Sequence, residues 1–228
     1  MLTASTSITE IPDTLINLTK LFCSHTKITK IPDTLINLNI LSCIMTDITE
    51  IPLTLVNLDN LYCYNTNISK LPDVLVNLTK LHCFNTKIET LPDTLINLSE
   101  LYCFNTKINI IPSTLVNITK LYCFKTEIKD IPSTLINLNE LWCYDTKISK
   151  IHKKLINLEN LYCQESLIAE DPFFILRRLK KTKTGIIKFQ RLYKNYKMFI
   201  VLWKIAEYYT KIKYSPENLI KNGLISFD

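Results

Sequence analysis

Leu98-Ser-Glu-Leu-Tyr-Cys-Phe-Asn-Thr-Lys-Ile-Asn-Ile-Ile-Pro112 decides the fold, because the same pattern returns every 20 residues along most of the chain. Cys23, Cys43, Cys63, Cys83, Cys103, Cys123, Cys143 and Cys163 form one column that holds all eight cysteines. A fixed period of this length marks a solenoid: one unit is too small to bury its own apolar side chains and buries them against its neighbours. Around Leu101-Tyr102-Cys103-Phe104 inward and outward positions alternate with period 2, which predicts one short strand per repeat and a parallel sheet of stacked strands. At a strand spacing of about 4.8 Å, eight units predict a sheet roughly 40 Å long, enough to hold a partner domain or an extended peptide.

Aligned on its proline, the unit reads Ile/Leu-Pro-x-x-Leu-Ile/Val-Asn-Leu-x-x-Leu-x-Cys-x-x-Thr-x-Ile-x-x. Copies begin at Pro12, Pro32, Pro52, Pro72, Pro92, Pro112 and Pro132, and another begins at His152 without the proline. This resembles the leucine-rich repeat family, whose core segment Leu-x-x-Leu-x-Leu-x-x-Asn-x-Leu is matched by Leu98, Leu101, Cys103, Thr106 and Ile108. Cysteine stands in place of the second strand leucine and threonine in place of the ladder asparagine. The Ile-Pro-x-x-Leu-x-Asn-Leu half is similar to the convex half of plant-type repeats. The resemblance covers roughly residues 1 to 170. It implies an α/β solenoid, a right-handed array with one short parallel strand per repeat, whose strands line a concave face. The near-identity of successive short units and the basic C-terminal segment are similar to leucine-rich repeat proteins of giant DNA viruses of amoebae. That narrower likeness implies a viral protein of the host cytoplasm or the virion.

Within the unit, proline has no N–H to leave unpaired and turns the chain away from the strand edge. The asparagine column, Asn17 through Asn157, and the threonine column, Thr26 through Thr146, are expected to bond backbone groups in the two turns. The cysteine column is expected to point inward as small hydrophobes. In-register neighbours about 4.8 Å apart exceed the usual disulfide Cβ separation, and ligands set along a line do not converge on a metal. Met1-Leu-Thr-Ala-Ser-Thr-Ser-Ile8 reads as a partial repeat with Thr3 in the cysteine position, a minimal cap or an open edge able to pair with another chain.

The composition removes several functions. Only Gly185 and Gly223 are present, so no glycine-rich phosphate cradle can form. His25, His82 and His152 fall at different repeat positions, and no catalytic constellation or metal site, hence no enzyme and no cofactor or small-molecule substrate, is expected. Some bacterial effectors join short repeats of this kind to a C-terminal ubiquitin ligase with a catalytic cysteine, whereas here no cysteine follows Cys163. The first residues have neither a basic nor an apolar segment of a secretory signal, and Met198 to Trp203 is too short to cross a bilayer. An intracellular, cytoplasmic protein with reduced thiols is expected.

Two outward positions flank each cysteine. One reads Phe22, Ser42, Tyr62, His82, Tyr102, Tyr122, Trp142, Tyr162, and the other Ser24, Ile44, Tyr64, Phe84, Phe104, Phe124, Tyr144, Gln164. Eleven of these are Phe, Tyr or Trp, half of the protein's aromatic residues gathered on one face. Such columns can stabilise the sheet by stacking on each other. An apolar area this extensive, with polar tips, more often marks an interaction surface. Tyr62, Tyr64, Phe84, Tyr102, Phe104, Tyr122, Phe124, Trp142, Tyr144 and Tyr162 are therefore the candidate partner-binding residues. The next column, His25, Met45, Asn65, Asn85, Asn105, Lys125, Asp145 and Glu165, is polar and variable and is expected to discriminate between partners.

The net charge of +6 is unevenly spread: residues 1–168 carry −2 and residues 169–228 carry +8. At Asp171-Pro172 the repeat stops, and the pair predicts a helix start. A short helix to about Lys181, a longer one from Ile186 to about Ile212, and a last one from Ser215-Pro216 would form a helical cap or tail over 171–228. In the longer one Lys188, Arg191, Lys194 and Lys197 lie opposite an apolar stripe. Phe189-Gln190 with Lys194 resembles part of an IQ motif, which implies a calmodulin-like partner, although Asn195 and Phe199 depart from that motif. The expected function is a non-enzymatic interaction scaffold that binds a protein or peptide on its aromatic concave face. The alternative places binding in the basic helix, toward a calmodulin-like protein, nucleic acid or an anionic membrane, with the array as a spacer.

Overall fold

The computed structural model describes residues 2–3 and 8–163. They lie in the first of the chain's two compact units, Met1–Ser166. The expectations for 171–228, including the three helices and Lys188, Arg191, Lys194 and Lys197, lie outside the described residues.

Nine strands form one sheet in chain order, β1 (Leu2–Thr3), β2 (Lys20–Phe22), β3 (Ile40–Ser42), β4 (Asn60–Tyr62), β5 (Lys80–His82), β6 (Glu100–Tyr102), β7 (Lys120–Tyr122), β8 (Glu140–Trp142) and β9 (Asn160–Tyr162). All neighbours are parallel, and from β2 onward each residue faces its equivalent in the next repeat, Leu101 opposite Leu121 and Tyr102 opposite Tyr122. The ladder runs past the strand ends, since Cys103 N donates to Tyr122 O at 2.9 Å and Asn105 N to Phe124 O at 3.1 Å. This is the parallel-strand solenoid that the period implies. The first rung differs: Leu2 faces Leu21 and Thr3 faces Phe22, so Thr3 is not in the cysteine register. The one-residue slip sets Leu2 in the leucine column, the register position at which every later strand carries an apolar residue.

Six apolar columns fill the interior. In the repeat around β6 they are Leu91, Leu95, Leu98, Leu101, Cys103 and Ile108, all buried. Leu101 and Cys103 are fully buried while Tyr102 and Phe104 between and beside them are half-exposed, which confirms the period-2 reading.

Among the described residues there is no helix, which corrects the α/β class for this part of the chain. The convex half is a pair of successive turns, Leu95 N donating to Pro92 O at 3.4 Å and Leu98 N to Leu95 O at 3.1 Å. A run of roughly two helical turns is too short to repay helix nucleation, and the turns bring both leucines inward without it. Where the proline is missing, His152 takes over the turn: Lys154 N donates to its Nδ1 at 3.1 Å, and Leu155 N donates to its carbonyl at 3.0 Å.

The asparagine column does more than close its own turn. Asn97 Nδ2 donates to Val76 O at 2.9 Å, Asn117 Nδ2 to Ile96 O at 2.9 Å and Asn137 Nδ2 to Val116 O at 3.0 Å, each reaching into the preceding repeat. The repeats are thus tied twice, by the sheet on one side and by this amide ladder on the other. The threonines act locally as expected, Thr106 Oγ1 donating to Cys103 O at 2.6 Å where the chain leaves the strand.

Candidate interaction face

Each strand alternates, so an array of outward side chains is forced wherever inward ones are buried. On the outward side two aromatic columns run along the sheet, one unbroken from Tyr64 to Tyr144 and the other from Tyr62 to Tyr162. In the column that follows the cysteines, Tyr64, Phe84, Phe104, Phe124 and Tyr144 stack at centroid separations of 4.1, 4.2, 4.2 and 4.3 Å, with interplanar angles of 12–14°. These steps are shorter than the usual strand spacing of about 4.7–4.9 Å, so neighbouring rings lean together.

The column that precedes the cysteines is less regular. His82 stacks on Tyr102 at 4.1 Å, Tyr102 meets Tyr122 at 4.2 Å, and Trp142 meets Tyr162 at 4.1 Å, whereas Tyr62 turns its edge to His82 at 88°. Its irregularity has a cause in composition, since Ser42 leaves no ring for Tyr62 to stack on. All the aromatic residues singled out in the sequence stand on this one face, half-exposed or, for Tyr162, exposed. Stacking and exposure therefore coexist: ring faces are covered by neighbours, and ring edges remain open.

A third outward column, Lys80, Glu100, Lys120 and Glu140, escaped the sequence reading. Glu100 Oε1 lies 3.5 Å from Lys80 Nζ and 3.6 Å from Lys120 Nζ. Glu140 Oε1 accepts from the Tyr122 hydroxyl at 2.7 Å and from Trp142 Nε1 at 2.8 Å. The Tyr122 hydroxyl bond holds the Glu140 carboxyl below the usual range against the opposing effect of burial, and Trp142 and Lys120 add to the lowering. Burial, with the Glu140 bond, pushes the Tyr122 phenol up. Burial also lowers His82, partly offset by Glu100 and reinforced by Lys80. The signal was present as alternating Lys and Glu at every twentieth residue.

On the other flank, the column expected to discriminate between partners also carries a backbone duty. His25, Met45, Asn65, Asn85, Asn105, Lys125 and Asp145 all have φ between 52° and 60°. That left-handed turn favours Asn and Asp among non-glycine residues, which accounts for the composition of the column's middle. Asn85 Nδ2 donates to Asn65 Oδ1 and Asn105 Nδ2 to Asn85 Oδ1, both at 2.7 Å, so these side chains form an exposed amide ladder.

The thiols lie behind the aromatic face. Cys23 through Cys143 are buried and free. Burial pushes Cys103 up to about 12 and raises Cys43, Cys63, Cys83 and Cys123 well above the ordinary thiol value, so these thiols stay protonated at neutral pH. Among the described residues, no group of three or more His, Cys, Asp or Glu is arranged to hold a metal ion. Among the described residues no helix is long and apolar enough to cross a membrane.

On the convex side, Ile16, Ile36, Val56, Val76, Ile96, Val116, Ile136 and Ile156 form an exposed β-branched column that the sequence reading passed over. The carbonyls of Ile36, Val56, Val76, Ile96, Val116 and Ile136 accept the asparagine ladder, so this column flanks the second inter-repeat tie.

No protein-family model matches the chain, and no curated protein matches it by sequence. Its fold does match solved leucine-rich repeat structures. An internalin of Listeria monocytogenes, InlF, superposes with a TM-score of 0.62 at 21% identity, over 70% of this chain and 52% of that one. The functional domain of InlJ from the same organism, described as including a cysteine ladder, gives 0.61 at 24% identity, over 72% and 44%. The plant peptide hormone receptor RGFR1, in complex with RGF2, gives 0.55 at 21% identity, over 70% and 35%. The chain thus spans about half the length of the first two. The likeness is one of fold.

Proposed function

We propose that this protein is a non-enzymatic interaction scaffold, a right-handed leucine-rich repeat solenoid that binds a protein or peptide on its aromatic concave face. The observation that carries the reading is the pair of half-exposed aromatic columns on one face of the sheet, Tyr64 to Tyr144 and Tyr62 to Tyr162. Polar-tipped aromatics in a contiguous patch dominate interface energetics. The fold supports the reading further, since the matched RGFR1 structure is a complex with a peptide hormone. Cytoplasmic work, and a source among giant DNA viruses of amoebae, are part of the same proposal and rest on the sequence.

Co-purification from the native source tests it with the full chain in three forms: unaltered, Tyr102→Ala/Phe104→Ala, and Lys188→Glu/Arg191→Glu. The first substitution pair is expected to abolish partner recovery and the second to leave it intact. The reverse outcome would move binding to the basic segment and make the array a spacer.

A further inference from the structure

We infer that the partner segment taken up by the aromatic face is an amphipathic α-helix, laid lengthwise across the strands along the Tyr64–Tyr144 column. This rests on the reading above and names the kind of segment that face fits. Every strand from β2 to β8 is hydrogen-bonded on both sides, and the ladder continues at Cys63 N to His82 O and Asn65 N to Phe84 O. No backbone edge is open within the face, so an added strand finds nothing to pair with and recognition falls to side chains.

The rings set the second condition. At 4.1–4.3 Å apart they are close to van der Waals contact, at which carbon atoms sit about 3.5–4.0 Å apart, so no partner side chain enters between them. The column is a continuous apolar rail without pockets, and it calls for a continuous apolar stripe rather than separate anchors. Four steps of 4.1–4.3 Å make it roughly 17 Å long, the length of about 11 helical residues at 1.5 Å each.

The flanks complete the match. On one side lies the second aromatic column, His82–Tyr102–Tyr122, with Lys80, Glu100 and Lys120 beyond it, and on the other run the Asn65–Asn85–Asn105 amides. These offer donors and acceptors to the polar shoulders of an amphipathic helix. A helix carries its own backbone hydrogen bonds down onto the phenyl edges, whereas an extended chain would press unpaired amides there. Nucleobases and cations read ring faces, and along this column the faces are covered by neighbouring rings.

The test pans a phage-displayed library of random peptides, roughly 20 residues long, against the full chain. Selected peptides are then titrated onto wild type, Phe104→Asp and Phe124→Ser, with circular dichroism confirming that each variant is folded. Enriched peptides with apolar residues at i, i+3 or i+4, and i+7 are expected, gaining helical ellipticity on binding and losing affinity roughly tenfold or more in either variant. Enriched peptides that alternate at i, i+2 and depend on Phe104 would overturn the helix while leaving the face as the binding site. Peptides insensitive to both variants, or no enrichment, would overturn the face as well. Oligothymidylate binding that disappears in Phe104→Asp would overturn the claim that ring faces are unavailable.

Discussion

The two sides of the same strands obey different rules. Inward, Leu101 and Cys103 repeat with almost no variation and are fully buried, because a column in a close-packed interior has one volume to fill. Outward, the column of Tyr102 is interrupted by Ser42 and otherwise varies among Phe, Tyr, His and Trp, because stacked rings need only flatness and a neighbour. Packed and surface positions therefore alternate along one short segment, Leu101 and Cys103 inward and Tyr102 and Phe104 outward, and each set is under its own constraint.

Leu101→Ala is the most direct way to break this division. It is expected to cost about 3 kcal/mol in chemical denaturation, by transfer and cavity terms together. Phe104→Ala, two positions beyond the strand's end, is expected to cost only about 1 kcal/mol, the value of its stacking pairs. Equal losses would show that the outward column is part of the core. The outer flank offers a gain instead: Lys125 sits at φ 55°, and Lys125→Asn is expected to stabilise by about 0.5–1 kcal/mol, read as a higher denaturation midpoint. No gain there would mean that the left-handed turn does not select the column's composition.

The smallest effect is confined to acid. His82 has its pKa lowered from 6.5 in the fold, so the unfolded chain takes up the proton first as pH falls. Its contribution is intact above 6.5 and is lost as pH drops from there toward the folded value. His82→Phe keeps a ring between Tyr62 and Tyr102 and is expected to flatten the fall in Tm between about pH 7 and 5. Glu140, held low by Tyr122, still loses its contribution in stronger acid, below the carboxyl's ordinary 4.5. An unchanged Tm profile in the variant would mean that the His82 environment is as wet as bulk solvent.

Much of this was legible in residues alone. Leu101 and Cys103 at alternate positions, repeated at a constant interval, predict an inward pair, and Tyr102 and Phe104 between them predict an outward one. Spacing places Asn97 in a turn, but its partner, the Val76 carbonyl, lies one repeat back, and spacing within a unit cannot show a bond between units. Asn85 and Lys125 belong to the column that the sequence marks for discriminating between partners. Their shared left-handed φ is a property of how the chain leaves the strand, which composition shows only as an excess of Asn. Thr3 was set one residue out of register because the first rung departs from the period that all later ones obey.

By itself the sequence determined the repeat, the parallel stacking of its strands and the side on which each residue stands, since a period of 20 residues can bury its leucines in one way only. Tertiary structure alone decided that the convex half is built of turns without a helix among the described residues, that asparagines tie one repeat to the next, and that the rings close to 4.1–4.3 Å. Those features depend on the distance and bend between neighbouring units, and that distance is set only when all the units pack together.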